Sequence, residues 1–421
     1  MIKKWIFLIV LAILGAVLFY NPNFKTIAAG VSILLFGMIT LEEGFKVFTK
    51  GPLKNLLRKA TDKLYKSIGL GAIVTAFIQS SSLVSVITIS FISAGLISLS
   101  SGIGLIFGAN IGTTATAWLV AGFGLKIDIS ILAMPMLIFG IIFSFQNNNT
   151  FKGIGNILAG LGFFFLGIYF MQSGFDVFNE HIDLTAYAIP GFLGVIIYAL
   201  IGIFITTILQ SSSASLALIL TALAAGQIEY ENALALAIGT NVGTTITALI
   251  GSIGSNVSGK RLALAHLTFN LITGIIAVSI IFPLTRFVNY LSELLLISAD
   301  DYTLKLALFH TLFNVLGVII MIPFIKKLET FLIRFVKDTR VKDIDEHKLL
   351  NDSIQLPDIK GSMLDATCYF SDQYAWFMFT LRKKSKLVNH CIILDKAGKV
   401  IHTTKQDEGP NNWLGSIRGK S

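Results

Sequence analysis

Two short polar stretches, Gln79-Ser80-Ser81-Ser82 and Gln210-Ser211-Ser212-Ser213, interrupt long apolar runs of the chain. They offer only amides and hydroxyls, so the chemistry they suit is recognition by hydrogen bonding and not proton abstraction or nucleophilic attack. Each is followed at the same distance by a second polar motif. These are Gly108-Ala109-Asn110-Ile111-Gly112-Thr113-Thr114 and Gly239-Thr240-Asn241-Val242-Gly243-Thr244-Thr245. Gln79 and Gln210 lie 131 positions apart, as do Asn110 and Asn241. Further upstream, LFGMITLEEGFKVF matches FLGIYFMQSGFDVF, pairing Gly37 with Gly167 and Gly44 with Gly174. The chain is written twice.

The surroundings of these motifs carry no formal charge. No Lys, Arg, Asp or Glu occurs between Lys66 and Lys126, from Leu184 to Ile228, or from Asn232 to Gly259. Where a helix breaks inside a membrane, its freed N–H and C=O groups need partners or a polar cavity. A half-helix N-terminus aims N–H donors and a partial positive charge at an anion, and serine hydroxyls add further donors. Phosphate or sulfate fits such a site. The carbonyls of Gln79, Gln210, Asn110 and Asn241, with the threonine hydroxyls, make an oxygen shell for a small alkali cation. Such a cation is expected, because a multiply charged anion with no Lys or Arg beside it is poorly compensated at low dielectric. There is no GxxxxGK[ST] and no cluster of His, Cys, Asp and Glu, so neither an enzyme nor a resident metal centre is expected.

The elements that must hold these motifs are membrane helices. Of 421 residues, 54% are hydrophobic and only 14% charged, and the mean hydropathy is +0.76. Apolar stretches of about 20 residues, enough to cross a bilayer, begin near residues 4, 28, 103, 129, 153, 232, 262 and 304. The opening MIKKWIFLIVLAILGAVLFY reads as an uncleaved first span. Ser67 to Leu99 is too long for one span and too short for two with a turn, so a re-entrant hairpin is expected at each QSSS. Each repeat then has three full crossings, and the second is inverted relative to the first. Loop charges agree. The net charge of +9 is concentrated in loops such as Lys50 to Lys66, Lys260-Arg261 and Lys326 to Arg340, which marks them as cytoplasmic and argues against nucleic acid as a partner. Loops around Asp183, Glu229 and Asp300-Asp301 should face outward.

The expected fold is an all-α polytopic membrane protein of two inverted-topology repeats, each with a re-entrant QSSS helical hairpin. A transporter domain spans 1–340, with repeat one at about 4–122, repeat two at about 129–250 and additional helices at 262–283 and 304–323. Residues 341–421 form a small cytoplasmic tail. Within it KLVNHCIILDKAGKVIHTTKQ reads as two strands around a Lys396-Ala397-Gly398 turn, and Cys368 and Cys391 are not expected to form a disulfide. Localisation in the cell membrane, with both termini cytoplasmic, follows from the charge map. HLTFN (His266 to Asn270) and HTLFN (His310 to Asn314) place His and Asn on one helix face, where interhelical hydrogen bonding is expected.

The duplicated QSSS with GxNxGTT resembles the type II sodium/phosphate cotransporter family over roughly residues 28 to 323. The resemblance implies Na⁺-coupled symport of inorganic phosphate by alternating access, with the two QSSS hairpins facing each other. Carried over, Ser80, Ser81, Ser82, Asn110, Thr114, Ser211, Ser212, Ser213, Asn241 and Thr245 are expected at phosphate. Gln79, Thr113, Gln210, Thr240, Thr244 and Thr247 are expected at Na⁺. Na⁺ is the coupling ion, and no other cofactor is implied. A homodimer is compatible with the resemblance. Many bacterial members resemble a fusion to a helical regulatory domain, for which residues 341–421 are too short and irregular. Alternatives are a Na⁺-coupled carrier of sulfate, arsenate or an organic anion, and a phosphate-binding receptor or channel.

Overall fold

The computed structural model describes residues 15–49, 63–179 and 184–337, and four strands between 362 and 406. The chain divides into two compact units, Met1–Lys337 and Asp338–Ser421. The described part of the first is helical throughout. Its helices are α1 (Pro22–Thr49), α2 (Leu64–Ile78), α3 (Ser81–Ser93), α4 (Leu99–Leu119), α5 (Ile129–Ser144), α6 (Asn149–Asn179) and α7 (Gly191–Leu209). They continue with α8 (Ser212–Ala224), α9 (Tyr230–Gly243), α10 (Thr245–Gly251), α11 (Val257–Ser279), α12 (Ile281–Leu294), α13 (Tyr302–Met321) and α14 (Ile325–Phe335). Among the described residues, seven helical stretches are long and apolar enough to cross a membrane, as a polytopic membrane protein requires.

The span expected near residue 4 lies largely outside the described residues, and three others differ from expectation. The one expected near 129 is the 16-residue α5, which stops at Ser144 where the polar run Gln146-Asn147-Asn148 begins. The Asn148 side chain then accepts from Thr150 N at 2.8 Å and helps open α6. Conversely, α7 has 19 residues and is long enough to span alone, although it leads into the second QSSS. It exposes Phe204 and Ile208, as a lipid-facing helix does, whereas α8 buries Leu216 and Leu220 completely. Those leucines share one core with Ala117 of α4, Leu234 of α9 and Phe309 of α13. The helix expected at 262–283 ends at Ser279 because Pro283, in the first turn of α12, cannot donate an N–H to the Ser279 carbonyl.

Both QSSS motifs break the helix in the same way. After α2, Gln79 turns left-handed (φ 58°, ψ 23°) and Ser80 is extended. After α7, Gln210 (φ 55°, ψ 18°) and Ser211 repeat the pattern. Among the described residues only Gln79, Gln210 and Leu296 are non-glycine residues with positive φ. That conformation costs about 1–2 kcal/mol per residue, so the same strain is placed twice at the same motif position. The helices flanking the breaks pack alike as well. A Cβ on Gly108 would lie 1.9 Å from the Ile68 carbonyl oxygen, and one on Gly239 would lie 2.1 Å from that of Ala199. Only glycine lets α4 approach α2, and α9 approach α7, so closely.

The second unit is a four-stranded antiparallel sheet in the order β1-β2-β3-β4, with β1 Ser362–Phe370, β2 Ala375–Lys383, β3 Lys386–Leu394 and β4 Val400–Gln406. The two strands legible in the sequence are β3 and β4; their turn at Lys396 to Gly398 lies outside the described residues. Cys368 on β1 and Cys391 on β3 are separated by β2. Two strand spacings, about 9.5 Å, exceed the reach of a disulfide.

Candidate functional site

The first turn of each post-break helix is held by its own serine. Ser80 Oγ accepts from Leu83 N at 3.2 Å, and Ser211 Oγ accepts from Ala214 N at 3.2 Å. Each cap satisfies the third-turn-position donor and leaves the first two N–H groups, those of Ser81 and Ser82 or of Ser212 and Ser213, without an intrahelical acceptor. Ser81, Ser212 and Ser213 are buried, and Ser80, Ser82 and Ser211 are half-buried. Two helix N-termini rich in N–H and hydroxyl donors result, with no carboxylate among them.

The two motifs meet through a threonine of α4. Thr116 Oγ1 donates to Gln79 Oε1 at 2.8 Å and lies 3.0 Å from Ser213 Oγ. Because the single Thr116 proton goes to Gln79, Ser213 is the donor in the second bond. Ser213 Oγ is also 3.5 Å from the Gln79 carbonyl oxygen. Gln79 Nε2 bonds the Ala76 carbonyl, which fixes the amide with its oxygen toward Thr116. Thr116 and Gln79 are 1% and 7% exposed, so this bridge is shielded from solvent.

The second copy is arranged differently. Gln210 is exposed and, among the described residues, its side chain bonds only within its own helix, from Nε2 to the Thr207 carbonyl at 3.3 Å. Thr247, the repeat counterpart of Thr116, is half-buried and makes no side-chain bond to Gln210 or Ser82 among the described residues. Among the described residues, the glutamine of the first break is bridged to the other motif and that of the second is not.

Most of the NxGTT side chains bond to their own helices. Asn110 Nδ2 donates to the Ile106 carbonyl at 2.9 Å, Thr113 to Ala109 at 2.9 Å and Thr114 to Ile111 at 2.7 Å. Thr240 donates to Ala237 at 2.8 Å, while Thr245, which opens α10, donates back to Val242 of α9 at 2.6 Å. Thr244 sits between α9 and α10, with its buried hydroxyl unpartnered among the described residues. Asn241 instead reaches another helix, bonding His310 and Asn314 of α13. HTLFN thus makes interhelical bonds. Among the described residues HLTFN makes none: Asn270 Nδ2 donates to the carbonyl of His266, one turn earlier.

Sequence reasoning missed Thr116, although the 131-residue repeat pairs it with Thr247, which was singled out. It also missed Thr75 and Thr206, a second pair at that spacing. Each is one turn before the left-handed glutamine, and each has a buried hydroxyl without a partner among the described residues. At the far end of α4, Lys126 pairs with Asp301, which also caps α13 by accepting from Leu304 N at 3.0 Å. Burial opposes ionisation of Asp301, but bonds from Lys126, Leu304 N and Thr303 together hold its carboxyl below the usual range.

No group of three or more His, Cys, Asp or Glu side chains is placed to hold a metal among the described residues. A bundle of membrane-length helices, opened at two donor-rich breaks that meet in its interior, defines a polytopic membrane protein. The chain belongs to the Na⁺/Pi-cotransporter family, whose model matches residues 33–173 and 194–333. It is 29% identical over 326 residues to the uncharacterized protein YqeW of Bacillus subtilis, covering 75% of this chain and 94% of that protein. It is 27% identical over 323 residues to the putative inorganic phosphate export protein YjbB of Salmonella typhimurium, covering 76% of this chain and 56% of that one. The chain thus spans about half the length of that relative. A shorter stretch of 85 residues, 19% of this chain and 14% of the other, is 38% identical to the mouse sodium-dependent phosphate transport protein 2C. No solved structure matches the chain.

Proposed function

We propose that the protein carries inorganic phosphate across a cell membrane, coupled to Na⁺, by alternating access. The observation that carries this reading is the Thr116 bridge, which joins Gln79 of one QSSS to Ser213 of the other inside the bundle. The N–H groups opening α3 and α8, with the hydroxyls of Ser81, Ser82, Ser212 and Ser213, supply donors for phosphate oxygens. Na⁺ takes the amide and hydroxyl oxygens of Gln79, Gln210, Thr113, Thr240, Thr244 and Thr247, and Asn110, Thr114, Asn241 and Thr245 lie on the phosphate side. With no Lys or Arg in these segments, each ion lowers the cost of burying the other, and co-occupancy is what makes translocation favourable.

The repeats are inverted, and the two breaks are the tips of re-entrant hairpins. The recurrence of the Gly108 and Gly239 contacts and of the left-handed glutamines supports the duplication. The opposite charges of the loops support the inversion, with the basic loops cytoplasmic. Under that symmetry the bridge Thr116–Gln79–Ser213 has an image, Thr247–Gln210–Ser82. Alternating access exchanges one bridge for the other, which closes the second tip while opening the first. The names of the relatives include both export and sodium-dependent transport, and the same cycle runs in either direction according to the gradients.

The test is phosphate uptake by purified protein in sealed proteoliposomes. A Na⁺ gradient should drive accumulation above the external concentration, and replacing Na⁺ with K⁺ or choline should abolish it. Equal uptake in all three salts would refute Na⁺ coupling, and equilibration without accumulation would indicate a channel.

A further inference from the structure

Between α9 and α13 lies a closed ring of hydrogen bonds, two between side chains and one to the main-chain carbonyl of His310, that includes no residue of either QSSS. His310 Nε2 is 3.1 Å from Asn241 Oδ1, Asn241 Nδ2 donates to Asn314 Oδ1 at 2.7 Å, and Asn314 Nδ2 donates to the His310 carbonyl at 2.8 Å. The ring assigns its own protons. Asn314 must present its amide nitrogen to a carbonyl, so its oxygen faces Asn241; Asn241 then donates through nitrogen and presents oxygen to His310. His310 is therefore the tautomer with hydrogen on Nε2. His310, Asn241 and Asn314 are 0%, 2% and 2% exposed, so water does not replace these partners.

The neighbouring residue extends the same helix to the other repeat. Thr311 Oγ1 accepts from Trp118 Nε1 of α4 at 2.9 Å, two residues beyond the bridging Thr116. On adjacent residues, α13 is thus bonded to both helices that carry NxGTT. Among the described residues the first motif has no equivalent restraint, since Asn110 bonds only its own helix.

We infer that His310 and Asn314, which lie outside both repeats, are positioning residues that hold Asn241 in one rotamer and one amide orientation. They set the second NxGTT for ion binding without touching the ions themselves. This inference rests on the transport reading above. Losing buried hydrogen bonds to this one amide should shift binding by roughly tenfold.

Two measurements test it on the full-length protein. In proteoliposomes, His310→Leu and Asn314→Leu should raise the half-saturating phosphate or Na⁺ concentration by about tenfold, with the maximal rate per inserted molecule largely kept. His310→Gln, whose Nε2 can reach the same acceptor, should restore near wild-type values. A purely structural role would lower the yield of inserted protein without moving the half-saturating concentrations, and that result would overturn the inference. Separately, melting temperatures in detergent of His310→Gln, His310→Leu, Asn241→Leu and the double leucine variant report the ring without reference to transport. The double variant should lose less than the sum of the single losses, and His310→Gln should lose little. Additive losses would disprove the ring itself. A wild-type protein that ignores phosphate while the losses remain non-additive would refute the proposed function and leave the ring standing.

Discussion

Replacing Thr116 with Val removes one hydroxyl at nearly constant volume from a site that is 1% exposed. Gln79 Oε1 then loses its donor at 2.8 Å, and Ser213 loses its acceptor at 3.0 Å. Gln79 cannot turn to water, because its Nε2 is bonded to the Ala76 carbonyl and its side chain is buried. Leaving one buried polar atom unsatisfied costs about 1–3 kcal/mol. At 1.4 kcal/mol per tenfold, that is a factor of about 5 to 150 in the population of the bridged state. If this state is part of the cycle, Thr116→Val should reduce Na⁺-driven phosphate uptake by at least about fivefold. Thr116→Ser, which keeps the hydroxyl, should stay within about twofold of wild type. The assay is initial-rate uptake in proteoliposomes, normalised to inserted protein. Wild-type kinetics for a fully inserted Thr116→Val protein would refute the claim that the bridge joins the two halves of the site.

Ser81→Ala and Ser212→Ala should each impair phosphate uptake while leaving insertion intact, and unchanged kinetics in both would reduce those serines to packing. Gly239→Val should block assembly of the bundle, because even a Cβ there lies 2.1 Å from the Ala199 carbonyl oxygen; an aggregated or degraded product on size-exclusion chromatography is the expected readout. Asp301→Asn keeps a helix-capping side chain but removes the charge that faces Lys126. Since folding lowers the Asp301 pKa, the stabilisation is present above the unfolded value of about 3.9 and is lost as pH falls through the folded value. The melting temperatures of wild type and Asp301→Asn should therefore differ at pH 7 and converge below about pH 4.

Much of this was legible without coordinates. Membrane-length apolar runs, the uncharged stretches and the doubled motifs all follow from local composition, since a bilayer demands about 20 apolar residues per crossing. The two strands β3 and β4 were legible for a similar local reason, their alternation around a glycine turn. The failures were also local in origin. The length of α5 depends on a run of Gln and Asn that ends it, and the break at Ile280 depends on Pro283 two positions into the next helix.

The sequence by itself determined what the site is made of: two helix breaks, each with one glutamine and three serines, in a chain that repeats its motifs 131 positions apart. Because the copies are nearly alike, it could not say how they differ in use. Only the tertiary structure buries Gln79 beneath Thr116 and Ser213 while leaving Gln210 exposed. Only the tertiary structure ties Asn241, and not Asn110, to α13. The reason is that these choices are made by contacts between helices distant along the chain. Two copies with the same local preferences take different partners once the bundle around them packs asymmetrically.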